Sequence, residues 1–370
     1  MIKLNKSRLK EEVEYVVENA IKKNIFSGAG ISFYKKEGTF EWSENFSFGK
    51  TSKFESGKKI CNETFFDLAS LTKPLVTALS TAVLIERGKI GLQDLLLDCC
   101  DWSLPGDKVN IKISHLLSHS SGLPAHRPYY KELSTIPLLK KKENLIGWIV
   151  DEELDFLPGT KVVYSDLGYI LLGFLIEEIT GESLESFWRE NIVSHMGLKE
   201  GLFFPKNRKV DGDLYVVTRN CKKGEDLLSG VVHDYNCRAM RGGAGHAGLF
   251  GTAPAVLSLC KHLIQQCKKR EKHPSYSSSL LIKLLSKREN LNWTYGFDIP
   301  SETNSSSGFY FSDTSRGHLG FTGTSFWIDF EKEIAIVVLT NRVHMSNDIK
   351  GIRTFRPLIH NTIMKSICDM

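Results

Sequence analysis

The sequence predicts an α+β protein: an antiparallel β-sheet flanked by helices, with an inserted, mainly helical lobe. Three observations carry that class. The chain opens on a helix and a hairpin, its middle is mainly helical, and its end returns to strands before a last helix. A sheet built from both chain ends, with the helical part inserted between them, buries all of these faces. On this reading residues 1–370 form one domain. Residues 1–69 and 285–370 make an α/β lobe, and 70–284 make the helical lobe. A chain of 370 residues is long enough for either one large domain or two lobes.

The first element is a helix. Leu9, Val13, Val16, Val17, Ala20 and Ile21 recur at helical spacing, so one face covers a core. Next, "GAGISFYKKEGTFEWSENFSFG" reads as two strands joined at "KKEG". From Ser70 to Arg87 the chain is apolar nearly all round, which predicts a buried helix. Pro74 fits there only in the first turn, and Gly88 is a natural stop. Residues 90–200 are helical, cut at "LPGD", "SSGLP" and "LPGT". A strongly apolar helix from Leu167 to Thr180 ends at Gly181. Residues 201–245 read as irregular, with a helix after Thr252. The polar stretches 268–279 and 301–316 read as exposed loops. "GHLGFTGTSFWIDFEKEIAIVVLTNR" predicts two strands around "DFEKE", and a final helix starts near 349.

Composition excludes several function classes. Apolar content of 41% with 25% charged residues is that of an ordinary globular chain. The net charge of +5 is modest and spread out, and "KKREK" (268–272) reads as solvated surface, so no nucleic-acid partner is expected. The eight cysteines form no C-x-x-C pair and no zinc spacing. His115 and His119 are four apart but lack the glutamate of a metalloprotease motif, so no metal is expected. The longest apolar run, Ile170 to Ile176, is too short to span a bilayer. With no signal-like apolar stretch near the start and thiols that suit a reducing compartment, the expected location is cytoplasmic.

The chemistry centres on "FFDLASLTKPLVTAL", residues 65–79. A serine hydroxyl needs a neighbouring base to become a nucleophile. Residues three apart share a helix face, which sets the Lys73 amine beside the Ser70 hydroxyl. The helix start adds positive potential and free N–H groups, both suited to an oxyanion. S-x-x-K occurs six times, but only at Ser70 does it open a buried apolar helix after a strand-like segment. Burying a lone ammonium is costly, so Lys73 needs partners. By itself the pattern fits an N-cap serine with a snorkelling lysine equally well.

Two further stretches matter. "PGTKVVYSDLGY" places Tyr164 and Asp166 on a loop entering an apolar helix. A tyrosine near an ammonium can shuttle protons, although alone Tyr164 reads more readily as a packed aromatic. In "RGHLGFTGTSFWID", Gly320 and Gly323 flank a bend, a common sign of close approach. His318 could donate a hydrogen bond there, although alone it reads as structural.

Taken together, in this order, the three stretches resemble the β-lactamase-related serine hydrolases. "SLTK" is similar to the nucleophile motif of that family, "YSDLGY" to its tyrosine motif, and "HLGFTG" to its Lys-Thr-Gly or His-x-Gly motif. "KISHLLSHSSGLP" (112–124) and "VVHDYNCRAMRGGAGHAGLFGTA" (231–253) add accessory likeness, so the resemblance runs from about residue 26 to the end. It implies a β-lactamase/transpeptidase-like fold and a serine hydrolase working through an acyl-enzyme, with no cofactor. Ser70 would be the nucleophile, Lys73 its proton acceptor and Tyr164 the second member of the base pair. The backbone of Ser70 and Phe321 would form the oxyanion hole, with His318 and Gly320 lining the substrate edge. The substrate would be a small molecule or peptide with an acyl group.

Two departures shift the expectation. Asp166 stands where the motif often has Asn. An ionised carboxylate cannot donate to a substrate carbonyl, but could pair with Lys73 and hold it charged. His318 replaces a permanent ammonium with a weaker anchor for a substrate carboxylate. Esterase or peptidase action is therefore favoured over efficient β-lactamase action. The alternative is a non-catalytic binding or regulatory module on the same fold. His119 and His246 are expected to hydrogen-bond backbone near the site, and the glycines of 242–251 to let a loop approach the cleft.

Overall fold

The structure is a computed structural model and describes residues 6–205, 212–220, 222, 225, 228–288, 291–346 and 348–368. Helix α1 (Lys6–Lys22) leads into the hairpin β1 (Gly28–Glu37) and β2 (Phe40–Gly49). Strand β3 (Phe66–Asp67) precedes a helical run that opens with a 3₁₀ turn at Ala69–Leu71. A π turn at Lys73–Ala78 follows, and then α2 (Leu79–Glu86). The helical lobe continues with α3 (Ile113–Leu117), α4 (Tyr130–Leu133), α5 (Leu138–Asp151), α6 (Asp166–Thr180) and α7 (Leu184–Trp188). Then come β4 (Leu202–Phe203), α8 (Tyr235–Ala239), β5 (Phe250–Gly251), α9 (Ala253–Cys267) and α10 (Ser278–Leu285). The chain closes with β6 (Arg316–Leu319), β7 (Ser325–Asp329), β8 (Ile334–Thr340), α11 (Arg342–Met345) and α12 (Lys350–Cys368).

The main sheet has five strands in the order β2-β1-β8-β7-β6. Each neighbouring pair is antiparallel, with Ile31 opposite Val338 where the two ends of the chain meet. Alternation along β8 explains its unbroken apolar sequence. Ile334, Ile336 and Val338 face a core shared with α1 and α12, while Ala335, Val337 and Leu339 face the core shared with α9. A strand covered on both faces has no solvent side to make polar. Burying each such side chain contributes roughly 1.5–3 kcal/mol before entropy is counted.

Several expectations meet a different structure. The stretch expected to hold two strands holds three, because β6 precedes the glycine bend. The region 201–245 also contributes β4 to a small sheet in the order β3-β5-β4, whose two-residue strands are too short to show a period. Helix α9 packs on β1 and β8 rather than within the helical lobe. The 301–316 stretch is only partly exposed. Ser305, Ser307 and Phe311 are buried because the loop is fastened to α12, where Asn361 accepts from the Phe309 amide and His360 bonds the Ser306 carbonyl.

α6 carries apolar residues on every face and is buried from Leu167 to Ile176. It ends, as its sequence implies, at Gly181 in the left-handed region (φ 71°). Among the described residues no helix is long and apolar enough to cross a membrane, and no cluster of metal-ligating side chains is found.

Candidate active site

Ser70 sits at a strained corner. Ala69, just before it, has φ 48°, a conformation that costs a non-glycine residue about 1–2 kcal/mol. The buried carboxylate of Asp67 holds the corner. Its Oδ1 accepts from the Ala69 amide at 2.8 Å and its Oδ2 from the His233 amide at 2.7 Å. Burial nevertheless pushes the Asp67 carboxyl up to about 6. Thr72 Oγ1 donates to the Ala69 carbonyl at 2.6 Å, closing the turn behind Ser70. Pro74 follows Lys73 in the first turn, where no N–H is missed.

Lys73 is completely buried. Its Nζ donates to Ser70 Oγ at 3.1 Å, to Asp166 Oδ1 at 2.7 Å and to the His246 carbonyl at 3.1 Å. An ammonium has three N–H groups, and all three are used. Burial alone would lower its pKa, but the Asp166 carboxylate outweighs this and the net shift is upward. For Asp166, burial opposes charge, yet the Lys73 ammonium and a hydrogen bond with His126 hold the carboxyl well below the usual range. Lys73 and Asp166 are therefore a charged pair. Asp166 also opens α6, where a negative charge is favoured.

Tyr164 packs against this pair, with Lys73 Nζ 4.7 Å from its ring centre. Its hydroxyl is buried and closes no well-aligned hydrogen bond, although Ser70 and Lys73 lie near enough to lower its pKa. Burial dominates and the net shift is upward, so the resting group is a phenol. His119 shapes the segment. Its Nδ1 accepts from the Ser165 amide at 3.1 Å, its carbonyl accepts from the Val163 amide, and its ring lies 4.4 Å from that of Tyr164. The loop at 242–248 comes in close from the other side. A Cβ on Gly245 would lie 2.0 Å from the Tyr169 carbonyl, so only glycine lets this loop deliver the His246 carbonyl to Lys73.

The bend after β6 is welded to the strand before Ser70. Thr322 Oγ1 donates to the Asp67 carbonyl at 2.6 Å and Thr324 Oγ1 to the Leu68 carbonyl at 3.1 Å. Arg356 from α12 donates to the carbonyls of Gly320 and Thr324, and Arg342 donates to that of Phe321. These bonds fix the Phe321 backbone, and Phe321 lines the same cavity as Ser70.

Ser70, Tyr164, Asp166 and Phe321 line a cavity of about 440 Å³. His318 and Gly320, expected on its edge, lie behind it instead. Gly320 is covered by Thr324 and the Leu68 carbonyl. His318 is buried, with its ring 5.9 Å from that of Tyr164. Its Nδ1 bonds the Leu319 carbonyl, which requires the Nδ1–H tautomer. Burial, aided by the Lys73 charge, pushes its pKa down to about 3, so it is neutral.

Of the opposite wall, the sequence brings only His246 and its glycine-rich loop near the site. That wall carries His126, His233, Asp234 and His246, with Tyr130 and Tyr235 at one end. His119 hydrogen-bonds backbone as expected. His246 does not: its Nε2 meets Asp234 Oδ1 at 2.9 Å. The dense run "HDYN" (233–236) was the available signal, since four polar side chains in an irregular stretch need somewhere to go.

Fold and cluster together define a serine hydrolase of the acyl-enzyme type. The comparisons with known proteins say which. A model described as Beta-lactamase matches residues 29–356, and the chain belongs to that family. An N-acetylmuramyl-L-alanine amidase of Bacillus subtilis (strain 168) is 27% identical over 327 residues, covering 80% of this chain and 74% of that protein. A putative D-alanyl-D-alanine carboxypeptidase of Salmonella agona (strain SL483) is 30% identical over 311 residues, covering 76% and 70%. Among solved structures, EstCE1, a hydrolase with promiscuous acyltransferase activity, superposes with a TM-score of 0.74 at 22% identity, covering 96% of this chain and 98% of that one. The octameric penicillin-binding protein homologue from Pyrococcus abyssi gives 0.71 at 20% identity, covering 97% and 76%.

Proposed function

We propose that Ser70 is the nucleophile of an acyl hydrolase in which Tyr164, not Lys73, removes the serine proton. The observation that carries this is the saturated Lys73 ammonium, which donates to Ser70 and cannot accept from it. The competent form has Tyr164 ionised beside the charged Lys73. Tyr164 Oη takes the Ser70 proton as Oγ attacks the acyl carbon. The oxyanion forms between the backbone N–H groups of Ser70 and Phe321. Collapse breaks the bond to the leaving group, which takes the proton from Tyr164 and departs, leaving an ester on Ser70. Water then gives a proton to Tyr164 as it attacks that ester, and collapse of the second intermediate breaks the bond to Ser70 Oγ, which takes the proton back from Tyr164 as the acid is freed.

The substrate class we favour is an ester or an amide, D-peptides included, rather than a β-lactam. Among the described residues no lysine or arginine lines the cleft, and His318 is neutral and buried. A carboxylate next to the scissile bond therefore meets no permanent cation. The names of the relatives bring amide and D-peptide bonds into range. A non-catalytic module would have no use for an ammonium buried against a serine. A reducing, cytoplasmic setting fits the free thiols at Cys61, Cys99, Cys100, Cys260 and Cys267.

The test is intact-protein mass after incubation with a fluorophosphonate, on wild type and Ser70→Ala. An adduct on wild type alone is expected. No adduct on folded wild-type protein would overturn the hydrolase reading.

A further inference from the structure

The reactive cleft does not end at its tyrosines. Tyr130 and Tyr235 also line a second, more open cavity of about 460 Å³, whose other lining residues include Lys141, Arg238 and Arg241. The two rings lie 5.0 Å apart and form the sill between the cavities. The sill is built, not incidental. The buried side chain of Asn236 accepts from the Tyr130 amide at 2.8 Å and donates to the Arg127 carbonyl at 2.8 Å, clipping α4 to α8. Lys141, on α5, donates to the Ala239 carbonyl at the end of α8.

The charge of the second cavity is the reverse of the first. The cleft at Ser70 presents Asp166 and Asp234 and, among the described residues, no lysine or arginine. Three cations and, among the described residues, no carboxylate line the cavity beyond the sill. Among the described residues none of the three makes an ion pair. Lys141 has two N–H groups beyond its bond to Ala239. Arg238 is held by the carbonyls of Val232 and His233 and lies 4.9 Å from the Tyr235 ring, so its guanidinium is fixed in place. Arg241 is exposed and sits in the left-handed region at φ 66°. Arginine and lysine together are the donor set that oxyanions take, with arginine supplying paired N–H groups.

We propose that this second cavity binds an anionic group, a carboxylate or a phosphate, on the part of the substrate remote from the scissile bond. The preferred substrate is then a neutral ester or amide linkage with a spacer that crosses the tyrosine sill and ends in an oxyanion. This rests on the hydrolase reading for its chemistry, but not for its binding.

The experiment uses p-nitrophenyl esters of straight-chain acids in a ladder of spacer lengths. Each ends in a methyl group, a carboxylate or a phosphate. On wild type at low salt, kcat/KM for an anionic ester of one spacer length should exceed that of its methyl counterpart by roughly ten-fold. That preference should shrink as salt screens the cations. Lys141→Gln with Arg241→Gln should abolish it while leaving the methyl esters as they were. The carboxylate and phosphate arms decide which oxyanion the cavity takes. Equal or slower turnover of every anionic ester would overturn the proposal. Calorimetry of the matching dicarboxylate and carboxyalkyl phosphate on Ser70→Ala separates the two claims. Binding that depends on Lys141 and Arg241, with no hydrolysis of any ester by wild type, would uphold the cavity and sink the hydrolase. Hydrolysis without such binding would do the reverse.

Discussion

One wall of the cleft is made by the 69–78 turns and the start of α6, the other by residues 126–130 and 233–247. On the first, Lys73 is fully buried with every N–H committed, Asp166 is locked to it, and Tyr164 is packed between His119 and His318. On the second, the side chain of His126 is 49% exposed and Tyr235 is 47% exposed, and their contacts are rings and single hydrogen bonds. Nothing on the first wall can turn without stranding a buried charge. On the second, the half-exposed His126 and Tyr235 side chains can turn at little cost, while His246 stays buried against Asp234. The contrast teaches a division of labour: fixed chemistry faces an adaptable surface that selects what is brought to it.

The largest effect should come from breaking the fixed wall. Lys73→Ala leaves the Asp166 carboxylate with only the long contact to His126 beside it, which costs about 3–5 kcal/mol of stability. It also removes the cation that favours the Tyr164 phenolate, so acylation should fall at least about 10²-fold. Thermal unfolding and burst kinetics check both. An unchanged burst rate would remove Lys73 from the mechanism.

Next in size is Tyr164→Phe, with an expected loss of roughly 10²–10⁴-fold. Its pH dependence is the sharper readout. Burial raises the Tyr164 pKa, so only a minor phenolate fraction exists at neutral pH, and that fraction grows as pH rises. Wild-type kcat/KM should therefore climb through the neutral and mildly alkaline range. A flat profile between these limits would show that another group takes the proton.

Asp67→Asn should do less. The amide can accept one of the two backbone N–H groups but opposes the other. The ionised carboxylate is the form that accepts both, and it is lost as pH falls through about 6. Wild-type activity should then drop more steeply below that pH, and the variant should lack this extra steepness. The same raised pKa means that protonated Asp67 is the form burial prefers, so its cost to stability appears as pH rises through about 6.

The smallest effect is expected on the second wall. His126 touches Asp166 at 3.4 Å, and Asp166 raises its pKa. His126→Gln should change kcat a few-fold at most, because a half-exposed pair contributes about 0.2–1 kcal/mol. A loss as large as that of Tyr164→Phe would erase the distinction between the walls.

What was legible in the sequence follows the same line. The hairpin, the buried helix from Ser70, α6 with its Gly181 stop and the last helix all have long periods or strong punctuation. Ser70, Lys73, Tyr164 and Asp166 stand out through the resemblance of their two stretches to family motifs; alone, Ser70 reads equally well as an N-cap and Tyr164 as a packed aromatic. The second wall did not stand out. His126 lies in a loop and Asp234 and Tyr235 open the short helix α8, and the course of both segments is set by distant bonds such as that from the His233 amide to Asp67. The resemblance puts His318 and Gly320 on the substrate edge; the threonine and carbonyl that cover Gly320 come from contacts no motif records.

The pairing of β1 with β8 joins segments from opposite ends of the chain, and the bend that carries Phe321 is bonded to the strand before Ser70. Contacts so remote in sequence close the longest loops and form slowly. The helical lobe can condense on local contacts before β6, β7 and β8 pair. The bend that carries Phe321 takes its place against the Asp67 and Leu68 carbonyls only with that pairing, so the two sides of the cleft mature at different stages of folding.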